Sequence, residues 1–212
     1  MDGGGHQREA PLKTLIGFGI LFTSIYLGER IMKWLIASDL HGSAYYCRQL
    51  LGAFEREGAD RLLLLGDLLY HGPRNDLPRD YDPKAVTALL NEHRGDILAV
   101  RGNCDADIDQ VVLRFPIWAD YALLAEGKKL IFVTHGHLFN LDKLPPLHEG
   151  DVLLHGHTHV PACETRDGVT YLNPGSLSIP KEGSCPSYMT LADGVFLWKE
   201  LESGRVYRKY AL

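Results

Sequence analysis

The chain has 212 residues, 45% of them hydrophobic and 23% charged, with a formal net charge of −5. That length supports one well-cored domain and is short for two. The negative balance speaks against stable nucleic-acid binding, which uses a basic face, but not against a small anion held through metal ions. Cys47, Cys104, Cys163 and Cys185 form no CxxC pair, which reads as reduced thiols in a cytoplasmic protein.

Residues 1–31 differ from the rest. Met1 to Ala10 is Gly-rich and polar, and an apolar run over residues 15–27 follows Arg8 and Lys13. Three readings stand: a non-native or mis-assigned leader with Met32 as the natural start, a membrane-associating segment over residues 12–31, or an extra packed helix. No small-x-small cleavage site follows the run, which is shorter than the ~20 residues of a spanning helix. Membrane contact is expected only if the 15–27 segment is a real anchor. A single domain is expected over 32–212.

From Lys33 onward strand and helix patterns alternate. Trp34 to Ala37 reads as a buried strand ending in Ser38-Asp39. Leu50, Leu51 and Phe54 share one side of a helix over Tyr45–Glu57, closed by Gly58. Arg61 to Leu65 is a second strand, and His71 to Asp82 a long polar loop. Pro83 suits a first helical position and predicts a helix over 83–93. Ile97 to Val100 is a third strand. Tyr121–Ala125 and Lys129–Thr134 flank Glu126-Gly127, a hairpin signal. Val152–Leu154, Val169–Leu172, Tyr188–Ala192 and Val195–Trp198 complete a β-rich second half. This order predicts an α/β sandwich of two packed sheets with helices outside.

Five of these strands are left by loops that carry metal-ligand types. They are Asp39-Leu40-His41, Gly66-Asp67, Gly102-Asn103, His135-Gly136-His137 and Gly156-His157-Thr158-His159. In open α/β sheets, ligands gather beyond the carboxyl ends of strands, so these side chains are expected to converge. Two carboxylates, an amide oxygen and several imidazoles suit Mn²⁺, Fe²⁺, Zn²⁺ or Co²⁺ rather than an all-sulfur site. Two such ions, bridged by one carboxylate, sit roughly 3.5–4 Å apart around a hydroxide and clamp phosphoryl oxygens.

The motif series resembles the calcineurin-like metallophosphoesterases, and within them the small bacterial phosphodiesterases of the YfcE type. The resembling stretches run from Ala37-Ser38-Asp39-Leu40-His41-Gly42-Ser43 to Asn173-Pro174-Gly175-Ser176 and include His71-Gly72-Pro73-Arg74-Asn75 and Val100-Arg101-Gly102-Asn103-Cys104-Asp105. The resemblance implies a four-layer αββα sandwich, two mixed sheets flanked by helices. It implies hydrolysis of a small phosphodiester by a hydroxide bridging two divalent ions, with Mn²⁺ favoured over Fe²⁺, Zn²⁺, Co²⁺ or Ni²⁺. Carried over by motif, Asp39, His41 and His159 hold one ion, Asp67 bridges, and Asn103, His135 and His157 hold the second. Asp67, Asn103 and His137 form the catalytic set, with His137 a pocket residue rather than a ligand. His71, Arg74 and Cys104 are the substrate-side candidates. The sequence leaves oligomeric state open, a homo-oligomer included.

Cys104 stands where many members of the wider family have histidine, the residue thought to protonate the leaving group. A thiol with pKa near 8.5 is a poor substitute, so good leaving groups are expected to be favoured; the YfcE-type subgroup shares this cysteine. Each motif also has a structural explanation when taken singly. Asp39 suits a helix N-cap, Gly66-Asp67 and Gly102-Asn103 suit plain turns, and His155 reads as a strand-end residue. Asn173-Pro174-Gly175-Ser176 reads as a turn under the site. Two further functions remain open: a phosphomonoesterase on the same site, and a non-catalytic interaction scaffold, which would have lost ligands. Arg74, Arg79 and Lys181 do not decide between mono- and diester.

Overall fold

Side-chain alternation in the first two strands separates two cores. In β1 (Trp34–Ala37), Leu35 and Ala37 face the helices while Ile36 faces the second sheet. In β2 (Arg61–Leu64), Leu62 and Leu64 oppose Leu63 in the same way, as the two-residue period of a strand requires. A computed structural model describes residues 31–212; the expectations for the leader and its 15–27 run lie outside the described residues. Among the described residues no helix is long and apolar enough to cross a membrane.

β1, β2 and β3 (Ile97–Ala99) are parallel and in register, Ile36 beside Leu63 and Leu63 beside Leu98. Three antiparallel strands, β9 (Ser187–Ala192), β10 (Val195–Glu200) and β11 (Val206–Ala211), extend this sheet to the order β11-β10-β9-β1-β2-β3. The second sheet contains the hairpin β4 (Tyr121–Glu126) and β5 (Lys129–Thr134), then β6 (Val152–Leu154), β7 (Ala162–Arg166) and β8 (Val169–Asn173), in the order β4-β5-β6-β8-β7. Here β5, β6 and β8 are parallel. The expected architecture is therefore present, two mixed sheets packed face to face.

Ile36, Leu63, Val133, Leu154, Leu172, Phe196 and Trp198 fill the space between the sheets. Truncating the fully buried Leu63 to alanine would cost about 2–5 kcal/mol by loss of burial plus cavity formation. Trp198 Nε1 donates to the Asn173 carbonyl at 2.7 Å, tying β10 to β8 across that core.

Two helices cover the outer face of the first sheet. α1 (Ala44–Glu57) and α2 (Pro83–Glu92) bury Cys47, Leu50, Phe54, Val86 and Leu90 there. α1 is capped by Ser43, whose side chain accepts from Tyr46 N–H at 3.2 Å, and ends at Gly58 with φ 55°. Asp39 is thus not the cap and is left for other work. A short α3 (Asp109–Val112) follows β3. The outer face of the second sheet is covered by Phe139, Leu141 and Leu147 from the segment between β5 and β6.

At the amino ends of the parallel strands a charged cluster locks α1 to the sheet. Glu57 accepts from Lys199 Nζ at 2.7 and 2.8 Å, from Lys33 Nζ at 2.8 Å and from the Tyr188 hydroxyl at 2.8 Å. Burial alone would raise its carboxyl, but the two lysines and Tyr188 outweigh that and hold it at about 2.

Candidate metal centre

The loops leaving β1, β2, β3, β5 and β6 meet at one edge of the sandwich. Asp39 Oδ2 accepts the His157 N–H at 3.1 Å, joining the two sheets. Its Oδ1 is buried without a hydrogen-bond partner, 3.3 Å from His159 Nε2 and 3.7 Å from His41 Nε2. Asp67 repeats this division. Oδ1 accepts the Cys104 N–H at 2.8 Å, and Oδ2 lies 3.5 Å from His135 Nε2 and 3.7 Å from His41 Nε2. Each carboxylate therefore has one oxygen anchored by backbone and one turned to imidazoles.

The imidazoles are oriented from behind. His41 Nδ1 lies 2.8 Å from the Tyr70 carbonyl, His135 Nδ1 2.6 Å from Leu65 and His159 Nδ1 2.7 Å from Ile179. A carbonyl only accepts, so Nδ1 carries a proton in each ring and Nε2 is the atom turned inward. His41 Nε2 and His159 Nε2 then face each other at 3.3 Å, and His135 Nε2 faces His157 Nδ1 at 3.2 Å. Asn103 Oδ1 stands 3.0 Å from His135 Nε2. Ring nitrogens and an amide oxygen this close repel unless a proton or a cation lies between them.

Electrostatics point the same way. Burial would raise the Asp39 carboxyl, yet His159, His135 and His41 hold it far below the usual range. Burial would lower His135, yet Asp67 and Asp39 raise it to about 9. Burial and then Asp67 push the Cys104 thiol up to about 12. The donor set, its orphaned carboxylate oxygen and its surplus of negative charge thus fit divalent cations. Donor atoms of Asp39, His41 and His159 lie within 4.8 Å of one another, as do those of Asp39, Asp67 and His135.

This convergence is held in a strained backbone. Asp39, His41, Asp67, His157 and His159 have φ of 58°, 49°, 56°, 66° and 64°. The left-handed region costs an L-residue roughly 1–2 kcal/mol, and such outliers cluster where function requires a fixed geometry. The compensation is visible. His41 N–H donates to the Asp67 carbonyl at 2.9 Å, and Ser176 and Ser178 hydroxyls donate to the Asp39 carbonyl at 2.9 and 3.1 Å. Asn173 Nδ2 donates to the Gly156 carbonyl at 2.8 Å and to Thr158 Oγ1 at 3.0 Å, so the 173–176 turn supports the last loop. A Cβ on Gly156 would run into Ser38 Oγ and lie 2.8 Å from Asp39 Oδ2.

Asp105 has a role that its sequence position alone does not assign. Its carboxylate accepts from the N–H groups of Gly102, Leu68 and Asp67 at 2.7, 2.8 and 2.9 Å, fixing the Asp67 turn. Its place two residues beyond Asn103 was the available signal.

A cavity of about 340 Å³ opens over the cluster, lined by His41, Asp67, Asn103, Cys104, His157 and His159, with Arg74, Asn75 and Lys181 at its rim. Arg74 and Cys104, candidates for the substrate side, line this cavity, as does Asn75, which the sequence does not single out. His71 packs edge-on between Tyr70 and Tyr81, with ring centroids at 4.7 and 5.2 Å, away from that lining. His137 sits beside the cluster, 5.4 Å from the His135 ring and 6.3 Å from that of His157, its Nδ1 buried and unpartnered. His155, at the end of β6, is buried and stacks on Tyr171 at 4.3 Å. A larger cavity of about 440 Å³, lined by Leu69, Tyr81, Ile108 and Val112 among others, is apolar and holds none of the clustered groups.

A two-sheet α/β sandwich with this carboxylate, imidazole and amide set at one edge defines a class, the hydrolases of phosphoric esters. The chain belongs to the calcineurin-like phosphoesterase superfamily, whose domain pattern matches residues 32–193. It is 47% identical over 165 residues to the phosphodiesterase YfcE of Escherichia coli (strain K12), covering 78% of this chain and 90% of that protein. The solved structure of YfcE, a phosphoesterase from E. coli, superposes with a TM-score of 0.82 at 44% identity, covering 85% of this chain and 99% of that one. Vacuolar protein sorting 29 from Cryptosporidium parvum shares the fold at a TM-score of 0.55 and 17% identity, over 86% of this chain and 99% of that one.

Proposed function

We propose that the chain is a metal-dependent phosphodiesterase with a dinuclear site. Asp39, His41 and His159 would hold one ion; Asn103, His135 and His157 would hold the other; Asp67 would bridge. The observation that carries this reading is the position of Asp67 Oδ2, between His41 Nε2 of one group and His135 Nε2 of the other at 3.7 and 3.5 Å. The similarity to YfcE supports the diester as substrate class. When bound, the two ions supply positive charge against the phosphoryl oxygens and a water of lowered pKa for in-line attack, with Mn²⁺ the expected metal.

The protein's own groups do the rest. Backbone N–H groups of Cys104 and His157 fix the carboxylates, and three carbonyls fix the imidazoles, so the donors need no rearrangement to bind charge. Asn103, exposed at the cavity mouth, presents Oδ1 to the cluster and an amide N–H to the Cys104 sulfur at 3.2 Å. His137, half-buried beside His135, is assigned to the pocket wall. Four free thiols support a reducing compartment such as the cytoplasm. A scaffold that had shed its chemistry would lack ligands, whereas all seven donors are present and converge.

Hydrolysis of bis(p-nitrophenyl) phosphate tests the reading. Mn²⁺ should restore turnover to chelator-stripped protein, and p-nitrophenyl phosphate should be the poorer substrate. Metal-independent turnover, or none with any divalent ion, would contradict it.

A further inference from the structure

Two cavities of opposite character flank His157. The first, about 340 Å³, carries Arg74 from the loop after β2 and Lys181 from the loop after β8. Lys181 is held beside the cluster by its own N–H, which donates to the His159 carbonyl at 3.2 Å. Both side chains are exposed, and among the described residues neither has a hydrogen-bond or ion-pair partner. Two unpaired cations at the mouth of a site in a chain of net charge −5 concentrate positive potential at one place. The second cavity, about 230 Å³, is lined by Leu141, Tyr171, His155, Thr158, Asn140, Asp142 and again His157, and is mostly apolar. Asp142 is exposed and pairs only loosely with Arg166, at 3.4 Å.

A phosphodiester bound at the cluster would have two cavities that meet at His157 within reach of its two ester arms. An arm on the Arg74 side meets two cations and the Asn75 amide. An arm on the Leu141 side would meet Leu141, Tyr171 and His155, the neutral polar groups of Asn140 and Thr158, and the Asp142 carboxylate, which disfavours an anion. The volume of that side suits roughly one aromatic ring or a short aliphatic group, since a cavity of about 150 Å³ takes benzene.

We propose that the substrate is an asymmetric phosphodiester. One arm bears a further anionic group, read by Arg74 and Lys181. The other is compact and uncharged and occupies the cavity between Leu141 and Tyr171. This inference rests on the phosphodiesterase reading and adds the chemistry of the two arms.

Two aryl diesters that differ by one carboxylate make the test: p-nitrophenyl 2-carboxyethyl phosphate and p-nitrophenyl propyl phosphate, assayed with the Mn²⁺-loaded full chain. The carboxylate diester should have the higher kcat/KM, by about tenfold through KM, the value of one hydrogen bond to a charged group. In the double variant Arg74→Ala/Lys181→Ala the ratio of the two kcat/KM values should fall toward one, and Arg74→Lys should retain part of it. Leu141→Trp should raise KM for both diesters. Equal kcat/KM in the parent, or a ratio untouched in the double variant, would overturn the inference while leaving the phosphodiesterase reading intact. No metal-dependent turnover of either diester would overturn that reading itself.

Discussion

The His157 N–H donates to Asp39 Oδ2 at 3.1 Å, across 118 positions of sequence and from one sheet to the other. The bond ties the two sheets at this edge and leaves the other oxygen of Asp39 toward His41 and His159. Gly156, immediately before, has no room for a side chain because Ser38 Oγ and Asp39 Oδ2 occupy the place of a Cβ. Gly156→Ala should therefore displace this loop, at a cost of about 1–3 kcal/mol typical of overpacking. Thermal denaturation and metal content measured together should both fall. A variant with parental metal content would separate the loop from the site.

Leaving-group chemistry tests the role of position 104. Cys104 lines the cavity and its thiol is a weak acid, so departure of an alkoxide gains little from it. Cys104→His should raise kcat/KM for an alkyl diester relative to an aryl diester by about a hundredfold, the low end for an added general acid. An unchanged ratio would remove Cys104 from the account.

Metal loading should depend on pH in a set direction. Asp67 and Asp39 raise His135 to about 9, so below that pH its ring holds a proton that a cation must displace. Apparent metal affinity should climb by about tenfold per pH unit toward pH 9 for one released proton, and level off above it. Calorimetric titration in buffers of different ionisation enthalpy would count that proton; a pH-independent affinity would contradict the assignment of His135.

Far from the site, Glu57 offers a stability test. Its carboxyl is lowered to about 2 in the folded chain, with an ordinary value near 4.5. A depressed carboxylate stabilises fully above the unfolded value and loses that contribution as pH falls toward the folded one. Stability should thus decline between about pH 5 and 2 by this route. Glu57→Gln should cost about 1.5–3 kcal/mol at neutral pH, the range for a hydrogen bond to a charged group, and should flatten that part of the acid profile. Urea denaturation at several pH values reads both.

The sequence showed those parts of the fold where burial writes a period. Trp34–Ala37 and Arg61–Leu64 alternate between two cores, and Leu50, Leu51 and Phe54 mark the buried side of α1, so these elements could be read directly. β7 and β11 could not. Glu164, Thr165 and Arg166, like Arg208 and Lys209, lie on sheet edges and face water, which leaves no apolar alternation. α3 is one turn without a buried residue. At the site, the spacing of Asp, His and Gly named the groups that converge. It could not show that Asp105 fixes the Asp67 turn, because that role is acceptance of three backbone N–H groups and depends on where the chain folds. Nor could it place His71 between two tyrosines rather than over the cavity.

The central claim is that Asp67 joins two ions into one reacting centre. Mn²⁺ titration of metal-free protein followed by electron paramagnetic resonance, with bis(p-nitrophenyl) phosphate turnover measured in parallel, tests it most directly. The parent should develop an exchange-coupled pair signal at two equivalents, together with turnover. Asp67→Asn should lose both the coupling and turnover. An isolated-ion spectrum from the active parent, or full turnover in Asp67→Asn, would contradict the account.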